Sequence, residues 1–299
     1  APLVGWHSGH LVPCCGPYVS APRGACGGSN PLEPGAGPCD CLQELLMKRI
    51  SVIAAAALAV LAATGAHARS LDAIQKDGTL RVATEGYYAP FAYFEGKKLT
   101  GFEVDLTELM TQKMGLKLEW KTISFDALLT GLKQDRWDLV ISSHGITPER
   151  EKQVLFSTPY YDNSALFVGQ QGKFTSIDQL KGKKVGVQNG TTHQKFITDK
   201  HPEITTVPYD SYQNAKLDLQ NGRIDAVFGD TAVVTEWLKS NPKLAAVGDK
   251  VTDKAYFGTG LGIAVRQGNT DLQQKFNAAL EKVKKDGTYQ TIYNKWFQK

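Results

Sequence analysis

Residues 184–200 read KVGVQNGTTHQKFITDK. The apolar residues of 184–187 predict a buried strand, and the spacing of apolar residues over 191–200 predicts a helix. A strand that passes directly into a helix is the repeating unit of α/β proteins. The first N–H groups of such a helix have no partner within it, so this junction is also suited to hold an anion.

The same alternation of strands and helices extends along the chain on both sides. Further strands are predicted at 79–84, 116–122, 138–141 and 225–228. Further helices are predicted at 102–114, 125–132, 212–221, 231–240, 271–286 and 287–297. The pattern therefore indicates an α/β fold with mainly parallel sheets. Segments 158–164 (TPYYDNS) and 256–261 (YFGTGL) interrupt it with proline and glycine, and we expect the chain to cross between two lobes there.

Composition excludes several classes of protein. The chain has 299 residues, 34 Lys and Arg against 30 Asp and Glu, and 42% hydrophobic residues. This length suggests about two domains, and this composition is not that of a disordered protein. The net charge of +4 is too small to indicate a nucleic-acid-binding protein.

The first 46 residues differ from the rest because they contain all five cysteines and are rich in glycine and proline. They show no hydrophobic period, so we expect a disordered, non-native leader at 1–46, translated from upstream of the natural start. The alternative is a cysteine-rich metal or disulfide module. The spacings Cys14-Cys15 and Cys39-Asp40-Cys41 disfavour it, because zinc knuckles use C-x2-C.

Residues 47–68 have the organisation of a secretory signal peptide. Met47-Lys48-Arg49 is basic, 50–63 is apolar, and Ala66-His67-Ala68 is an A-x-A cleavage site. The apolar segment is short for a membrane span, which takes about 20 residues. We therefore expect export to the periplasm of a mature chain, 69–299, that contains no cysteine.

Polar and aromatic residues directly follow four of the predicted strands. These segments are 85–88, 142–150, 188–192 and Asp230. Ligands of α/β sheets bind beyond the carboxyl ends of strands. We therefore expect the four segments to meet in one binding site.

Four short motifs occur in the order 101–106 (GFEVDL), 146–150 (ITPER), 156–161 (FSTPYY) and 287–297 (GTYQTIYNKWF). Together they resemble the periplasmic polar-amino-acid-binding proteins of ABC importers, the bacterial solute-binding proteins of family 3. The resemblance extends over essentially all of 70–299.

This resemblance implies a two-lobe periplasmic binding protein of type II, in which each lobe is a mainly parallel sheet flanked by helices, with a two-strand hinge. We expect lobe 1 at 69–161 plus 260–299, lobe 2 at 165–256, and the hinge near 162–164 and 257–259. The resemblance also implies a monomer that is not an enzyme and needs no cofactor or metal. It would capture an amino acid between closing lobes and deliver it to an inner-membrane ABC permease.

From about residue 149 onward, the sequence is similar in detail to the arginine-binding proteins of enterobacteria, for example at 160–171 (YYDNSALFVGQQ) and 183–196 (KKVGVQNGTTHQKF). Residues 70–148 match the family but not that group in detail. One hypothesis is a recombinant or designed chimera joined at the ITPER motif, and the other is ordinary divergence in the first half. The resemblance implies L-arginine or another basic amino acid as the ligand.

The resemblance assigns the two poles of a free amino acid to different segments. Arg150 would grip the α-carboxylate through two parallel hydrogen bonds, together with Thr192 and the N–H group of Gly145. Asp230 would hold the α-ammonium group.

Other residues would contact the ligand side chain. Tyr88 and Phe125 would sandwich it, and aromatic faces suit a cation. Glu85 would pair with a distal cation, and Gln188 would add a polar contact.

The sequence departs from the arginine-binding pattern at 142–145, where SSHG stands in place of AGMD. Ser142 and Ser143 are typical of histidine- and lysine-binding relatives, so we expect a broader preference for basic amino acids. We expect His144 to point into the core or to the surface.

Alternatives remain open from the sequence. The ligand could be another polar amino acid, such as histidine or glutamine. The fold also supports a cyclohexadienyl dehydratase, although Glu85 and Asp230 suit a cationic zwitterion better than an anionic ring acid. A sensor domain of a receptor kinase would need a membrane anchor. No metal site is predicted, because the histidines after residue 68 have no companion ligands: His144, His193 and His201.

Overall fold

The computed structural model describes residues 69–298, so the predicted leader at 1–46 and signal peptide at 47–68 lie outside the described residues. The helices of the described region are Leu71–Asp77 (α1), Phe102–Lys113 (α2), Phe125–Lys133 (α3), Pro148–Glu151 (α4), Thr192–Lys200 (α5), Tyr212–Gln220 (α6), Thr231–Ser240 (α7), Lys254–Phe257 (α8), Thr270–Lys285 (α9) and Thr288–Phe297 (α10). Its strands are Thr79–Thr84 (β1), Tyr87–Tyr88 (β2), Ala92–Glu95 (β3), Lys98–Thr100 (β4), Lys117–Thr122 (β5), Leu139–Val140 (β6), Val154–Phe156 (β7), Ala165–Gln170 (β8), Lys184–Gln188 (β9), Thr205–Tyr209 (β10), Ala226–Asp230 (β11), Leu244–Val251 (β12) and Ala264–Arg266 (β13).

Two five-stranded sheets organise the described chain. The first has the order β5-β1-β6-β13-β7, and the second has the order β10-β9-β11-β8-β12. Strands β2, β3 and β4 form a small antiparallel sheet of their own. We call the first five-stranded sheet with its helices lobe 1 and the second lobe 2.

Each large sheet is parallel except for one strand. In lobe 1, β1 runs parallel to β5 and β6, whereas β13 runs antiparallel to β6 and β7. In lobe 2, β9 runs parallel to β10 and β11, whereas β8 runs antiparallel to β11 and β12. The prediction of an α/β fold with mainly parallel sheets is confirmed. The two reversed strands are β8 and β13, which the chain forms just after it passes from one sheet to the other. The alternation of strands and helices in the sequence does not predict them.

The predicted helices and strands agree with the structure to within one or two residues at their ends. The predicted helix at 191–200 begins one residue later, because Thr191 is its N-cap. The Thr191 hydroxyl accepts a hydrogen bond from the N–H group of Gln194 and so satisfies one of the free donors of the first turn. This cap fixes the direction in which α5 leaves β9.

Buried strands in lobe 2 carry polar residues at their carboxyl ends. All residues of β11 are buried, including its last residue, Asp230. In β9 only Lys184 is exposed, and the final residue, Gln188, is buried. Two polar side chains are therefore held inside the protein at the edge where α5 and α7 begin. Within 69–298, no helix combines the length and apolar character required to cross a membrane.

Candidate functional site

Residues that follow strands of both lobes enclose one small cavity. It is lined by Tyr88, Phe125, Ser143, Gly145, Arg150, Asn163, Gln188, Thr191, Thr192, His193 and Asp230. All the predicted ligand-binding residues are among them except Glu85 and Ser142. Glu85 contacts the lining residue Gln188, and Ser142 contacts Glu85. The structure thus brings the predicted residues together in one place.

Two direct hydrogen bonds join side chains at this cavity. The Tyr88 hydroxyl donates a hydrogen bond of 2.5 Å to Asp230 Oδ2. The Gln188 amide donates a hydrogen bond of 2.5 Å to Glu85 Oε2. The enclosed volume is about 10 Å³, which is the room of a single water molecule. A ligand larger than a water molecule can occupy this cavity only if the cavity widens.

Glu85 is a buried carboxyl group at the end of β1. Its backbone N–H donates to the Ser142 hydroxyl at 3.1 Å, which fixes the turn that follows the strand. Burial raises the pKa of Glu85 to about 8, and the neighbouring Glu103 and Asp230 add to the rise. The hydrogen bond from Gln188 acts in the opposite direction. A cation beside Glu85 would therefore favour the release of its proton.

Glu103 is a second buried carboxyl group, and site reasoning from the sequence missed it. Its Oε1 atom accepts hydrogen bonds from the Ser143 N–H at 2.7 Å, the Ser143 hydroxyl at 2.8 Å and the Tyr160 hydroxyl at 2.5 Å. Burial raises its pKa to about 7 in spite of these bonds. The only signal for Glu103 in the sequence is its place in the GFEVDL motif, which indicates the family but not a role in the site.

Arg150 lies half-buried in the short helix α4. The Thr147 hydroxyl accepts from the Arg150 N–H, and Pro148 begins the helix, so this turn is fixed locally. The guanidinium donates to the carbonyl of Gly145 at 3.2 Å and lies 5.8 Å from the centre of the Phe125 ring. Burial lowers its pKa to about 10, which leaves it charged at neutral pH. Its planar fork is suited to a carboxylate.

Gly145 sits where a larger residue would be crowded. A Cβ atom at this position would lie 3.3 Å from the carbonyl oxygen of Phe257 and 3.4 Å from the Asn163 amide nitrogen. The glycine therefore lets the segments at 145, 163 and 257 approach closely beside Arg150.

The two predicted aromatic residues are buried and supported by other rings. Tyr88 lies 5.4 Å from Tyr212, centre to centre. Phe125 stacks on His144 at 4.4 Å with an angle of 12° between the rings. His144 is buried and does not line the cavity, and burial lowers its pKa well below the usual range. A neutral His144 therefore supports the Phe125 face from behind.

The start of α5 reaches the cavity through Thr191 and Thr192. Thr191 is buried, and its hydroxyl also donates to the carbonyl of Gln188 at 2.7 Å. Because Thr191 supplies the cap, the Thr192 side chain is not needed for it. Thr192 is the first residue of the helix, where the N–H groups have no partner within the helix.

Two further lining residues, His193 and Asn163, were missed from the sequence. His193 is buried, and its Nε2 atom lies 3.2 Å from Asp230 Oδ1, although the pair is not aligned as a hydrogen bond. The sequence draws attention to His193 only as a metal ligand. In the part of the chain that the structure describes, no group of three or more His, Cys, Asp or Glu side chains is arranged to hold a metal ion.

Comparisons of the sequence and of the structure with known proteins identify the same group of relatives. Residues 80–299 match the model of the bacterial extracellular solute-binding proteins, family 3. The putative ABC transporter arginine-binding protein 2 of Escherichia coli K12 is 67% identical over 254 residues, which is 85% of this chain and 100% of that protein.

Solved structures agree with the sequence relatives. A Salmonella typhimurium periplasmic binding protein described as having high arginine specificity is 44% identical, with a TM-score of 0.71, over 73% of this chain and 99% of its own. The ancestral amino acid-binding protein AncCDT-1, a precursor of cyclohexadienyl dehydratase, is 32% identical, with a TM-score of 0.70, over 76% of this chain and 99% of its own. The chain therefore belongs to the bacterial extracellular solute-binding proteins, family 3.

Proposed function

We propose that this protein captures L-arginine, or another basic L-amino acid, in the periplasm and delivers it to an ABC permease of the inner membrane. The observation that carries the proposal is the charge pattern of one closed cleft. It places the carboxyl group of Asp230 and the guanidinium of Arg150 around a single cavity, with the carboxyl group of Glu85 bonded to the lining residue Gln188. That set complements a zwitterion with an additional positive charge.

Each charge has a proposed partner on the ligand. Arg150 holds the α-carboxylate through its two parallel N–H groups, with help from the N–H groups of Gly145 and Thr192. Asp230 accepts from the α-ammonium group, and Glu85 accepts from the distal cation. The arginine-binding relatives support arginine as the ligand.

The remaining site residues act on the ligand side chain. Tyr88 and Phe125 present aromatic faces to it, and a cation over such a face gains about 0.5–2 kcal/mol. Gln188 and Ser142 set the position of Glu85, since one donates to its carboxyl group and the other accepts from its N–H group.

Because one ligand would contact both lobes, its binding would favour the form in which the lobes are closed. We propose lobe boundaries at 69–161 plus 260–299 and at 165–256, with hinge segments near 162–164 and 257–259, in a monomer. The ligand bonds to both lobes only when they are close, so it shifts the population toward the closed form. In doing so it replaces the Tyr88–Asp230 and Gln188–Glu85 contacts.

Isothermal titration calorimetry with arginine, lysine, ornithine, histidine and glutamine tests the proposal. We expect the basic amino acids to bind and glutamine to bind at least tenfold more weakly. Tighter binding of glutamine than of every basic amino acid would refute the preference for cations.

We further propose that the protein is not an enzyme. AncCDT-1 shows that a similar fold occurs in a dehydratase lineage. In this chain, Glu85 and Asp230 would repel an anionic ring acid such as prephenate. An assay of prephenate turnover should therefore show no product, and any protein-dependent turnover would contradict this part of the proposal.

A further inference from the structure

Glu103, the second residue of α2, is almost fully buried, with 1% of its surface exposed. All three hydrogen bonds given above converge on its Oε1 atom, two of them from Ser143 and one from Tyr160. Its Oε2 atom is buried and has no hydrogen-bond partner. A proton on this group would sit on Oε2, so Oε1 remains an acceptor whether the carboxyl group is charged or neutral.

Ser143 has a backbone conformation that is unfavourable for a serine. Its φ angle is +48°, and among the described non-glycine residues only Asp135 also has a positive φ. The left-handed region is costly for residues with a Cβ atom, so the surrounding structure must hold Ser143 there. The paired bonds from its N–H and hydroxyl groups to one carboxyl oxygen supply that restraint.

The same two bonds decide what Ser143 can offer to the cavity. Its only backbone donor and its only hydroxyl proton are both directed to Glu103. The hydroxyl oxygen keeps its lone pairs. Toward the cavity, Ser143 is therefore an acceptor of hydrogen bonds and not a donor.

We propose that Glu103 is a specificity-determining positioning residue, which holds Ser143 in its left-handed conformation and makes its hydroxyl an acceptor for a cationic N–H group of the ligand. This inference rests on the proposed function. A carboxylate on the ligand gains nothing from such a hydroxyl, whereas an ammonium or guanidinium group does. Glu103 thus favours ligands that place a cationic group beside Ser143, without touching them.

The test is a double-mutant cycle with arginine binding as the readout. Glu103→Met removes both carboxyl oxygens, and with them the acceptor of the two Ser143 bonds, and should weaken arginine binding at least tenfold. Ser143→Gly removes the hydroxyl and adopts a positive φ freely. In the Ser143→Gly background, Glu103→Met should therefore cost less than threefold, because Glu103 has lost the group through which it acts.

Tyr160→Phe is the matched control, because it removes the third donor to the same oxygen and leaves both Ser143 bonds in place. It should bind arginine within threefold of the unmodified protein, even where its melting temperature falls. If Glu103→Met alone does not fold, Glu103→Asp enters the same cycle, since it retains the charge but shortens the reach by one methylene group.

Equal losses from Glu103→Met in the unmodified protein and in the Ser143→Gly background would overturn the inference, as would a loss from Tyr160→Phe as large as that from Glu103→Met. Failure of the unmodified protein to bind any of arginine, lysine, ornithine or histidine is a different result. It would refute the proposed function itself.

Discussion

The hydroxyl group of Tyr88, from the small sheet that follows β1, donates a hydrogen bond of 2.5 Å to Asp230, the last residue of β11 in lobe 2. The proposed α-ammonium site is thus already occupied by a protein donor. A hydrogen bond to a charged group contributes about 1.5–3 kcal/mol. The ligand must compete with this contact when it binds.

Tyr88→Phe separates the two roles of this residue. The variant keeps the aromatic face and removes the donor that competes for Asp230. We expect arginine to bind up to about tenfold more tightly, by calorimetry, since about 1.4 kcal/mol corresponds to a factor of ten. Tyr88→Ala should instead weaken binding, because the face is lost. A loss of more than tenfold in Tyr88→Phe would show that the hydroxyl binds the ligand.

Arg150→Lys tests the two-pronged carboxylate contact. Lysine keeps the charge but cannot form the planar fork, so arginine binding should weaken at least tenfold. Arg150→Ala should cost about 3 kcal/mol or more, because a carboxylate in a closed cleft would lose its charged partner. Lys133→Ala, an exposed cation on α3, is the control and should leave affinity unchanged. An equal effect of the two alanine variants would argue for a general electrostatic effect.

Glu85→Gln should change ligand preference. The variant keeps the shape and the neighbour Gln188 but loses the charge that would pair with the distal cation. Arginine should lose at least tenfold in affinity, whereas citrulline, its neutral isostere, should lose less than threefold. Parallel losses for the two ligands would rule out the charge pairing.

Arginine binding should depend on pH between about 6 and 8. The raised pKa values of Glu85, about 8, and Glu103, about 7, mean that both groups hold protons near neutrality. A cationic ligand favours their ionised forms, so binding releases protons and affinity should rise with pH by up to about tenfold per unit for each proton. Calorimetry in buffers of different ionisation enthalpy measures this release. Glu85→Gln should reduce it, and an unchanged release would exclude Glu85 as the source.

Stability without ligand should show the opposite trend. The folded protein holds protons that the unfolded chain releases near the ordinary pKa of 4.5. The stabilisation from these two groups is therefore complete below that pH and is lost as the pH rises through about 7 to 8. Melting temperatures should fall over this range, and saturating arginine should reduce the fall. A melting temperature that rises steadily from pH 6 to 8 would contradict the assignment.

Much of the site was predictable because its residues lie at the ends of strands, and strands can be recognised from neighbouring residues in the sequence. Gln188 and Asp230 end buried strands, and Glu85 follows one, so a strand pattern is enough to place them at one edge. Arg150, the proposed partner of the ligand carboxylate, lies in the short ITPER motif. The helix predicted at 191–200 begins one residue later in the structure, because Thr191 is its N-cap.

The rest was not predictable for a physical reason. Glu103 acts on Ser143 across a separation of 40 residues, and the bond depends on a positive φ that the residue type disfavours. His193 reaches Asp230 because β9, from which α5 leaves, pairs with β11. The reversed strands β8 and β13 form where the chain enters a sheet from the other lobe. The spacing of apolar residues along the sequence contains no signal for this change of direction.

Leu261 pairs with Gly145 on one side and with Tyr161 on the other, so both chain crossings run side by side next to Arg150. We infer that the carboxylate end of the ligand lies near the axis about which the lobes turn, where displacements are smallest. We infer that the other end, beside Glu85, travels more during closure. Binding should therefore occur in two steps. The α-carboxylate and α-ammonium groups, which all amino acids share, bind in the open form, and the ligand side chain makes its contacts only during closure. Selectivity would then reside mainly in the rate of reopening.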